Sequence, residues 1–373
     1  MKTNKIFLRV GVITQLFLAL LPLGCDKEED KYDFVINKMQ WLRIQPQTNT
    51  EGAAFRWALD GEEIADTKDL LHVFAHAGTY SLEFKEINSI DESVKTYKIK
   101  VNDKSCINGV TRVFEYLPAP GQYINKAPEA TAFDTPETMR QKAEEALTGG
   151  SIISLGGFGG YVIFGFDHVV INRQGADFIV RGNAFDNSAE PGVIMVSYDA
   201  NGNGLPDDEW YEIAGSEFHK PTTIRNYEIT YFRPETEPTN PNEPNYIRWT
   251  DNQGQSGFLT KNNFHLQPYY PLWIGDSYTL EGTLMEANLY DVSGNGTNWI
   301  NLAYEWGYAD NHHNNDPRAQ IDIDWAVDKN GNHVILKGID FVKVYTGNHI
   351  EGGWMGEISS EISGFTNLNI FNQ

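Results

Sequence analysis

The chain has 373 residues, and its 51 acidic against 29 basic side chains give a net charge of −22. A phosphate polymer is bound by clustered lysine and arginine, so this balance excludes nucleic acid as the expected ligand. It favours a cation, or a neutral or cationic ligand, and the length is that of two domains or three.

Residues 1–24 are predicted to be a lipoprotein signal peptide. Two lysines precede an apolar run that ends at Leu23-Gly24-Cys25, and a small residue before the cut is typical of an export signal. The longest uninterrupted apolar stretch, Leu16 to Leu23, is well short of the ~20 residues that span a bilayer. A cysteine directly after the small residue predicts that Cys25 is acylated. A simple cleaved secretory signal is the alternative.

Residues 25–31 are predicted to be an acidic tether. The run Asp26-Lys27-Glu28-Glu29-Asp30 is expected to be solvated. It also resembles the signal that sends lipoproteins of the Bacteroidetes to the outer face of the outer membrane. We therefore expect a cell-surface protein that touches the membrane by its lipid anchor only. With Cys25 acylated, Cys106 would have no partner within the chain, so no disulfide framework is available.

Residues 32–104 are predicted to form an immunoglobulin-like β-sandwich. Short strands flank the hairpin turn Asp60-Gly61, Trp57 and Tyr80 are expected to face the core, and Val94 to Val101 is expected to be a final edge strand. These features resemble a PKD domain, a sandwich common on bacterial surfaces that usually serves as a spacer. The residues that carry the resemblance are Trp57, Asp60-Gly61, Gly78-Thr79-Tyr80 and Lys98-Ile99-Lys100-Val101.

A single helix interrupts the β pattern. Pro136 to Leu147 consists mainly of good helix formers, with Thr135 as the N-cap candidate, proline at the first helical position and Gly149-Gly150 as the stop. The other apolar stretches are short and are broken by Gly, Asn, Asp and Pro, which is typical of sandwiches and barrels.

Residues 107–373 are predicted to form a larger jelly-roll β-sandwich. The glycine run Gly156 to Gly160 lacks the phosphate-binding pattern and predicts a turn between strands, and Arg233 to Pro244 predicts a long surface loop. The segments Val196 to Asp199, Trp210 to Ser216 and Gly338 to Tyr345 resemble the jelly roll of discoidin and galactose-binding-like domains.

The fold class expected for the whole chain is all-β: a PKD-type sandwich, then a jelly roll, with one short helix at about 136–147. This arrangement resembles the "cell surface protein" lipoproteins of Bacteroides, which pair a PKD-like module with a jelly-roll domain. Some of those proteins lie beside corrinoid or glycan uptake systems. The resemblance implies a glycan or corrinoid ligand and an outer-membrane transporter as a partner.

The best-defined candidate site is a loop with oxygen-bearing side chains at alternate positions, followed by glycine and acids. This is the first half of an EF-hand-type loop and predicts a structural Ca²⁺. Trp210 stands where the bidentate acid belongs, and a metal-free Asn/Gly hairpin turn is the alternative. The predicted ligands are Asp199, Asn201, Asn203, Leu205, Asp207 and Glu209.

Aromatic residues crowd the last third of the chain, where rings beside polar side chains would suit sugar rings or a flat macrocycle. The candidate ligand-binding residues are Arg248, Asp251, Tyr269, Tyr270 and Trp273. Trp299, Tyr304 and Trp306 are expected to be mostly core, and His312-His313 is expected on a solvent-facing loop and not at a metal.

Three functions remain open on the sequence. The first is a binding protein that captures a small ligand for uptake, and the second is a structural or adhesive protein that contacts another protein. The third is a glycoside-active enzyme. No carboxylate spacing singles out a catalytic pair, so we expect no enzyme.

Overall fold

The computed structural model describes residues 31–48, 52–89, 91–240 and 242–370. The expected signal peptide, Cys25 and nearly all of the acidic tether lie outside these residues. The described chain is built of β-strands with one α-helix, which confirms the all-β class. Among the described residues, no helix has both the length and the apolar character to cross a membrane.

The N-terminal unit comprises the seven strands before Asp103. One sheet has the order β1-β7-β6-β3-β4, and β2 pairs with β5 in a second. Trp57 is fully buried in the core between them, whereas Tyr80 is only partly buried. The bounds are β1 Phe34–Asn37, β2 Trp41–Ile44, β3 Ala54–Leu59, β4 Glu62–Ala65, β5 Leu70–Val73, β6 Gly78–Ile87 and β7 Glu92–Asn102.

The edge position expected for residues 94–101 is wrong. The short strand β1 pairs in parallel with β7, with Phe34 opposite Ile99 and Ile36 opposite Val101. Strand β1 therefore takes the edge, and β7 lies between two partners. The PKD assignment, the domain boundaries and the jelly-roll topology stay predictions.

The chain after residue 104 forms further sheets and one helix. The strands of its first part are β8 Arg112–Leu117, β9 Ile153–Ser154, β10 Tyr161–Ile171, β11 Phe178–Arg181, β12 Gly192–Ser197 and β13 Tyr211–Ile213. The next are β14 Ile224–Phe232, β15 Glu243–Asp251, β16 Ser256–Lys261, β17 Ser277–Leu284, β18 Leu289–Asp291 and β19 Trp299–Asn301. The last are β20 Ala326–Val327, β21 Gly338–Thr346, β22 Glu361–Ile362 and β23 Gly364–Asn367.

A six-stranded sheet with the order β20-β13-β12-β21-β10-β8 organises this part. One face of β21 presents Val342 and Val344 to a large core that also holds helix and β23 side chains. On the other face Tyr345 packs with Val193 and Met285. Both faces of the sheet are therefore covered, which explains why its strands are apolar almost throughout. The four-stranded sheet β16-β15-β14-β17 has its own aromatic-rich core.

The helix α1, Pro136–Thr148, forms where the sequence predicts it. The Thr135 side chain accepts a hydrogen bond from the backbone N–H of Thr138, and the Thr138 side chain accepts one from the N–H of Thr135, so the N-terminus is closed by a capping box. The buried residues Met139, Ala143 and Leu147 lie on one face of the helix. Glu144 links the helix to β8, because its side chain accepts a hydrogen bond from the N–H of Val113 at 2.9 Å.

Strand register brings four loops to one end of the six-stranded sheet. Tyr161 at the start of β10 lies opposite Leu117 at the end of β8 and Tyr345 near the end of β21. Gly192 at the start of β12 lies opposite Thr346. The segments 118–127, 155–160, 183–191 and 347–360 therefore meet at this end.

The N-terminal unit contacts the opposite end of the same sheet. The indole Nε1 of Trp41 donates to Asp340 Oδ2 at 2.7 Å, and the N–H of Val169 donates to the carbonyl of Met39 at 2.8 Å. Lys337 Nζ donates to the carbonyl of Leu71 at 3.1 Å.

Candidate functional site

A cavity of about 500 Å³ opens where the four loops meet, and we call it the acidic pocket. Gln122 and Tyr123 come from the loop after β8, and Phe185 and Glu190 come from the loop before β12. The remaining walls come from the segment after β16, from β18 and β19, and from the segment between β21 and β22. They include Phe264, His265, Leu289, Asn301, Trp354, Glu357 and Glu361.

Four aromatic side chains form the rim of the acidic pocket. Phe185 and Phe264 are each 64% exposed, Trp354 is 51% exposed and Tyr123 is 40% exposed. The rings of Phe264 and Trp354 lie edge to face with their centroids 6.3 Å apart. Large apolar side chains exposed around a cavity mark a binding site, because folding alone gives no reason to keep them in water.

Four acids form the floor of the acidic pocket: Glu190, Glu357 and Glu361 line the cavity, and Asp310 lies behind them beside Glu361. One carboxylate oxygen each from Glu190, Asp310 and Glu361 lies within 4.8 Å of the others. Asp310 and Glu361 are buried, and Glu190 is partly exposed. Glu357 is a fourth acid at the same site and is 4% exposed.

Backbone and serine groups hold the floor in place. Asp310 Oδ1 accepts hydrogen bonds from the N–H groups of Asn183 and Ala184, both at 2.8 Å, and Oδ2 accepts one from the N–H of Glu361 at 2.9 Å. Glu361 Oε1 accepts from the hydroxyls of Ser154 at 3.2 Å and Ser359 at 3.1 Å. The three acids therefore join strand pair β9–β22 to two loops.

Burial dominates the electrostatics of the floor. Burial raises the pKa of Glu190 to about 8 and that of Glu357 to about 8. The pKa of Asp310 is raised to about 8 by burial and by the neighbouring Glu361, although its three backbone donors oppose this shift. Burial also raises the pKa of Glu361, and the neighbouring carboxyl group of Glu190 raises it further.

The predicted calcium loop has its oxygen-bearing side chains gathered together. The amides of Asn201 and Asn203 both donate to Asp207, at 2.9 Å each. Asp199 accepts from the N–H groups of Gly202 at 2.7 Å and Gly204 at 3.1 Å.

Glu209 and Leu205, the other two predicted ligands, lie less close to this group. Glu209 accepts a hydrogen bond from the Tyr211 hydroxyl at 3.2 Å, and Asp208 instead accepts from the N–H of Ala200 at 2.9 Å. Leu205 lies on the exposed side of the loop, where its N–H donates to Asn203 Oδ1 at 2.7 Å.

The five predicted ligand-binding residues do not face one pocket. Tyr269 and Tyr270 are buried in the core of the four-stranded sheet, with exposed fractions of 0% and 1%, so neither ring is open to a ligand. Trp273 stacks on Tyr116 with ring centroids 6.1 Å apart. Arg248 lies over the ring of Phe232, and Asp251 accepts from the Tyr227 hydroxyl at 2.8 Å.

The paired histidines differ from each other. His312 is buried at 9% exposure, with its Nε2 3.2 Å from the carbonyl of Glu305, whereas His313 is exposed. The solvent-facing position expected for both is therefore wrong for His312. His312 is enclosed together with its neighbours Asp310 and Asn311, which are also buried.

Sequence reasoning missed the rim and most of the floor. Phe185, Phe264 and Trp354 are separated by at least 79 residues in the chain, so only the strand register brings them together. A signal for the floor was present in the closing segment, where Glu357 and Glu361 stand among glycine, serine and apolar residues. An acidic residue in such surroundings is expected to be buried. Acids are seldom buried unless they have a structural or functional role.

No protein-family model matches the chain, and no curated protein matches it. One similar solved structure is a quinoprotein alcohol dehydrogenase-like protein from Bacteroides thetaiotaomicron, at 11% identity and a TM-score of 0.18 over 61% of this chain. The chain spans 46% of that structure.

Two further solved structures are similar over most of their length. A SusE-like protein matches at 7% identity with a TM-score of 0.26, over 89% of this chain and 94% of its own. A structure of carbohydrate-binding modules of the β-sandwich superfamily matches at 10% identity with a TM-score of 0.16, over 89% and 93%. Similarity at this level carries no conclusion about this chain.

Proposed function

We propose that the protein binds a saccharide in the acidic pocket and does not transform it. The observation that carries the proposal is an exposed aromatic rim over a floor of buried carboxyl and amide groups. The cavity, at about 500 Å³, lies within the range of roughly 300–1,000 Å³ that is usual for small-molecule sites.

The chemistry of a sugar ring matches both parts of the pocket. Its C–H face is apolar and packs against aromatic rings such as Trp354 and Phe264. Its hydroxyl groups both donate and accept hydrogen bonds. The carboxyl group of Glu190 or Glu357 can accept a hydrogen bond from a hydroxyl and, when protonated, can donate one to it. The Asn301 Oδ1 atom is buried, has no hydrogen-bond partner in the part of the chain that the structure describes, and would accept from a hydroxyl.

The arrangement of the acids favours binding over hydrolysis. Glycoside hydrolysis places two carboxyl groups on opposite sides of the scissile bond, about 5 Å or more apart. One carboxylate oxygen of Glu190 lies within 4.8 Å of one of Glu361, which is closer than the spacing of about 5 Å or more that flanks a scissile glycosidic bond. We therefore propose a binding protein that is not an enzyme.

Titration of intrinsic fluorescence with a panel of soluble oligosaccharides tests the proposal. We expect a saturable change in tryptophan emission in the wild type, and calorimetric titration gives the affinities of the variants, because Trp354→Ala lacks the indole in the pocket. Trp354→Ala or Phe264→Ala should weaken binding about tenfold, equivalent to ~1.4 kcal/mol. The matched control is Phe133→Ala, since Phe133 is 95% exposed and does not line the pocket.

Equal affinity in Trp354→Ala, Phe264→Ala and wild type would refute the pocket assignment. Cyanocobalamin belongs in the same titration, because a corrinoid was the other expected ligand. Binding of cyanocobalamin alone, lost in Trp354→Ala, would replace the saccharide by a corrinoid. Release of reducing sugar from any bound glycan would show that the protein is an enzyme.

The proposal places this binding protein on the cell surface, anchored by a lipid on Cys25 and serving an outer-membrane transporter. The support is the sequence pattern around Leu23-Gly24-Cys25. Membrane fractionation of Cys25→Ala tests the anchor, since the variant should become soluble. Co-purification of a transporter with the wild type tests the partner.

We also propose that the loop from Asp199 to Glu209 binds Ca²⁺ in a structural role. The support is that Asp199, Asn201, Asn203 and Asp207 each turn an oxygen-bearing side chain toward the same loop. Oxygen ligands of this kind suit Ca²⁺. A rise in melting temperature with CaCl₂ that is smaller in Asp207→Asn than in the wild type would support it.

A further inference from the structure

The floor of the acidic pocket concentrates negative charge without a balancing cation. Among the described residues, no Lys, Arg or His lies within 4.0 Å of the carboxyl groups of Glu190, Asp310, Glu357 or Glu361 in an ion pair. Buried charges are normally paired or bound to a metal, because an isolated ion loses its hydration. Protons or a bound cation must therefore compensate this group.

Unsatisfied atoms nearby point to a missing ligand. Glu357 accepts a hydrogen bond from the N–H of Gln122 through Oε1 at 2.5 Å, but its Oε2 has no partner among the described residues. Asn301 is 1% exposed, and within the same part of the chain its Oδ1 also has no partner. Both residues line the acidic pocket, and a buried oxygen left without a donor costs free energy. An acceptor needs either a donor or a cation.

The grouping and chemistry of the acids indicate which cation they suit. The oxygens of Glu190, Asp310 and Glu361 lie within 4.8 Å of one another. One Ca²⁺, which binds oxygen at about 2.3–2.6 Å, can therefore contact all three. Mg²⁺ gives up its water molecules reluctantly and is seldom held by an all-protein set of ligands, which a buried group of carboxyl oxygens would require. The absence of sulfur and nitrogen from this group disfavours Zn²⁺.

We propose that the floor of the acidic pocket binds one Ca²⁺ through Glu190, Asp310 and Glu361. Glu357 Oε2 and Asn301 Oδ1 are the nearby acceptors that complete the oxygen shell, directly or through water. The cation replaces the protons that would otherwise neutralise these buried carboxyl groups. This site is separate from the loop that begins at Asp199, and it does not depend on which organic ligand enters the pocket.

Calcium bound per chain, measured by calorimetric titration of EDTA-treated full-length mature protein, tests the proposal. We expect Glu190→Gln and Glu361→Gln each to bind one Ca²⁺ fewer than the wild type. The matched control is Glu281→Gln, an exposed acid on β17 that should leave the count unchanged. Mg²⁺ should bind this site at least tenfold more weakly than Ca²⁺.

These variants distinguish calcium bound in the acidic pocket from calcium bound in the loop from Asp199 to Glu209. They also distinguish a lost site from a loss of folding. Asp207→Asn should remove the loop's calcium only, so its effect and that of Glu190→Gln should add. Glu190 is partly exposed, and Glu190→Gln is therefore the informative variant if circular dichroism shows Glu361→Gln to be unfolded. An unchanged calcium count in folded Glu190→Gln would overturn the proposal, as would equal affinity for Mg²⁺. Calcium binding without saccharide binding would refute only the proposed function.

Discussion

Glu212 is a partly buried carboxyl group on β13 that contacts β17 of the four-stranded sheet. It accepts a hydrogen bond from the Thr283 hydroxyl at 2.7 Å, and burial raises its pKa to about 7. An unfolded chain would give this group a pKa of roughly 4.3. The folded state therefore binds the proton more tightly, and this group's contribution to stability is lost as pH rises from about 4.3 through 7.

Glu212→Gln should reduce this pH dependence. The amide stays neutral, so the variant should gain about 1–2 kcal/mol relative to wild type between pH 5 and pH 8. Urea denaturation at both pH values measures the difference. Glu281→Gln is the control on the neighbouring strand β17, where the side chain is exposed. A constant difference between Glu212→Gln and wild type at the two pH values would contradict the burial argument.

Asp310 is an acid whose buried position the sequence could not predict. It stands beside the paired histidines, where it reads as one acid among many in a polar stretch. Its role depends on hydrogen bonds to Asn183 and Glu361, which are 127 and 51 residues away. Composition gave the excess of acids, but only tertiary contacts select the few that are buried.

The glycine run between β9 and β10 forms the turn that the sequence predicts, and the structure shows why glycine is needed there. Gly156 has φ +70°, and a Cβ there would lie 2.0 Å from the carbonyl oxygen of Ala119. Its carbonyl accepts from the Thr346 hydroxyl at 2.8 Å. The turn therefore lets the loop after β8 approach the end of β21, which closes one side of the acidic pocket.

Gly156→Ala should destabilise the protein more than Gly175→Ala. Both positions have positive φ, which costs about 1–2 kcal/mol with alanine. A Cβ at Gly175 meets no atom within 4 Å, so that control isolates the backbone term. The clash at Gly156 should add about 1–3 kcal/mol. Equal free energies of unfolding for the two variants would show that the structure accommodates the new Cβ beside the carbonyl oxygen of Ala119 at no cost.

Local signals predicted the elements that depend on local contacts. The helix α1 is capped by Thr135 and stopped at Gly149, and both residues are readable in the sequence. Tyr269 and Tyr270 were expected at a ligand, but they fill the core beneath the pocket, while Phe264 in the same segment reaches its rim. Neighbouring aromatics of one loop thus divide between core and surface, and composition cannot decide which is which.

The whole molecule is joined across its two parts by a few polar contacts. Asp340 Oδ2 accepts from Trp41 Nε1 at 2.7 Å and from the N–H of Asp199 at 2.8 Å. The ring of Trp41 also packs on Tyr198, with centroids 5.9 Å apart. One carboxylate oxygen therefore connects the N-terminal unit, β21 and the predicted calcium loop.

Trp41→Phe should weaken this connection by about 1.5–3 kcal/mol, because a smaller aromatic ring remains and a hydrogen bond to an acid is lost. Differential scanning calorimetry should show the N-terminal unit melting earlier than the rest. Trp354→Phe, the same change at the opposite end of the six-stranded sheet, should leave the transitions unchanged. A single unaltered transition in Trp41→Phe would contradict a connection through Asp340.

The contacts of the N-terminal unit have a consequence for orientation. Strand β21 runs from Gly338, beside that unit, to Thr346, beside the acidic pocket, and its nine residues span about 30 Å. A chain attached to a bilayer through its N-terminal end would therefore carry the pocket at its far pole. The cavity would look outward into the surrounding medium, where a passing molecule meets it before reaching the lipid.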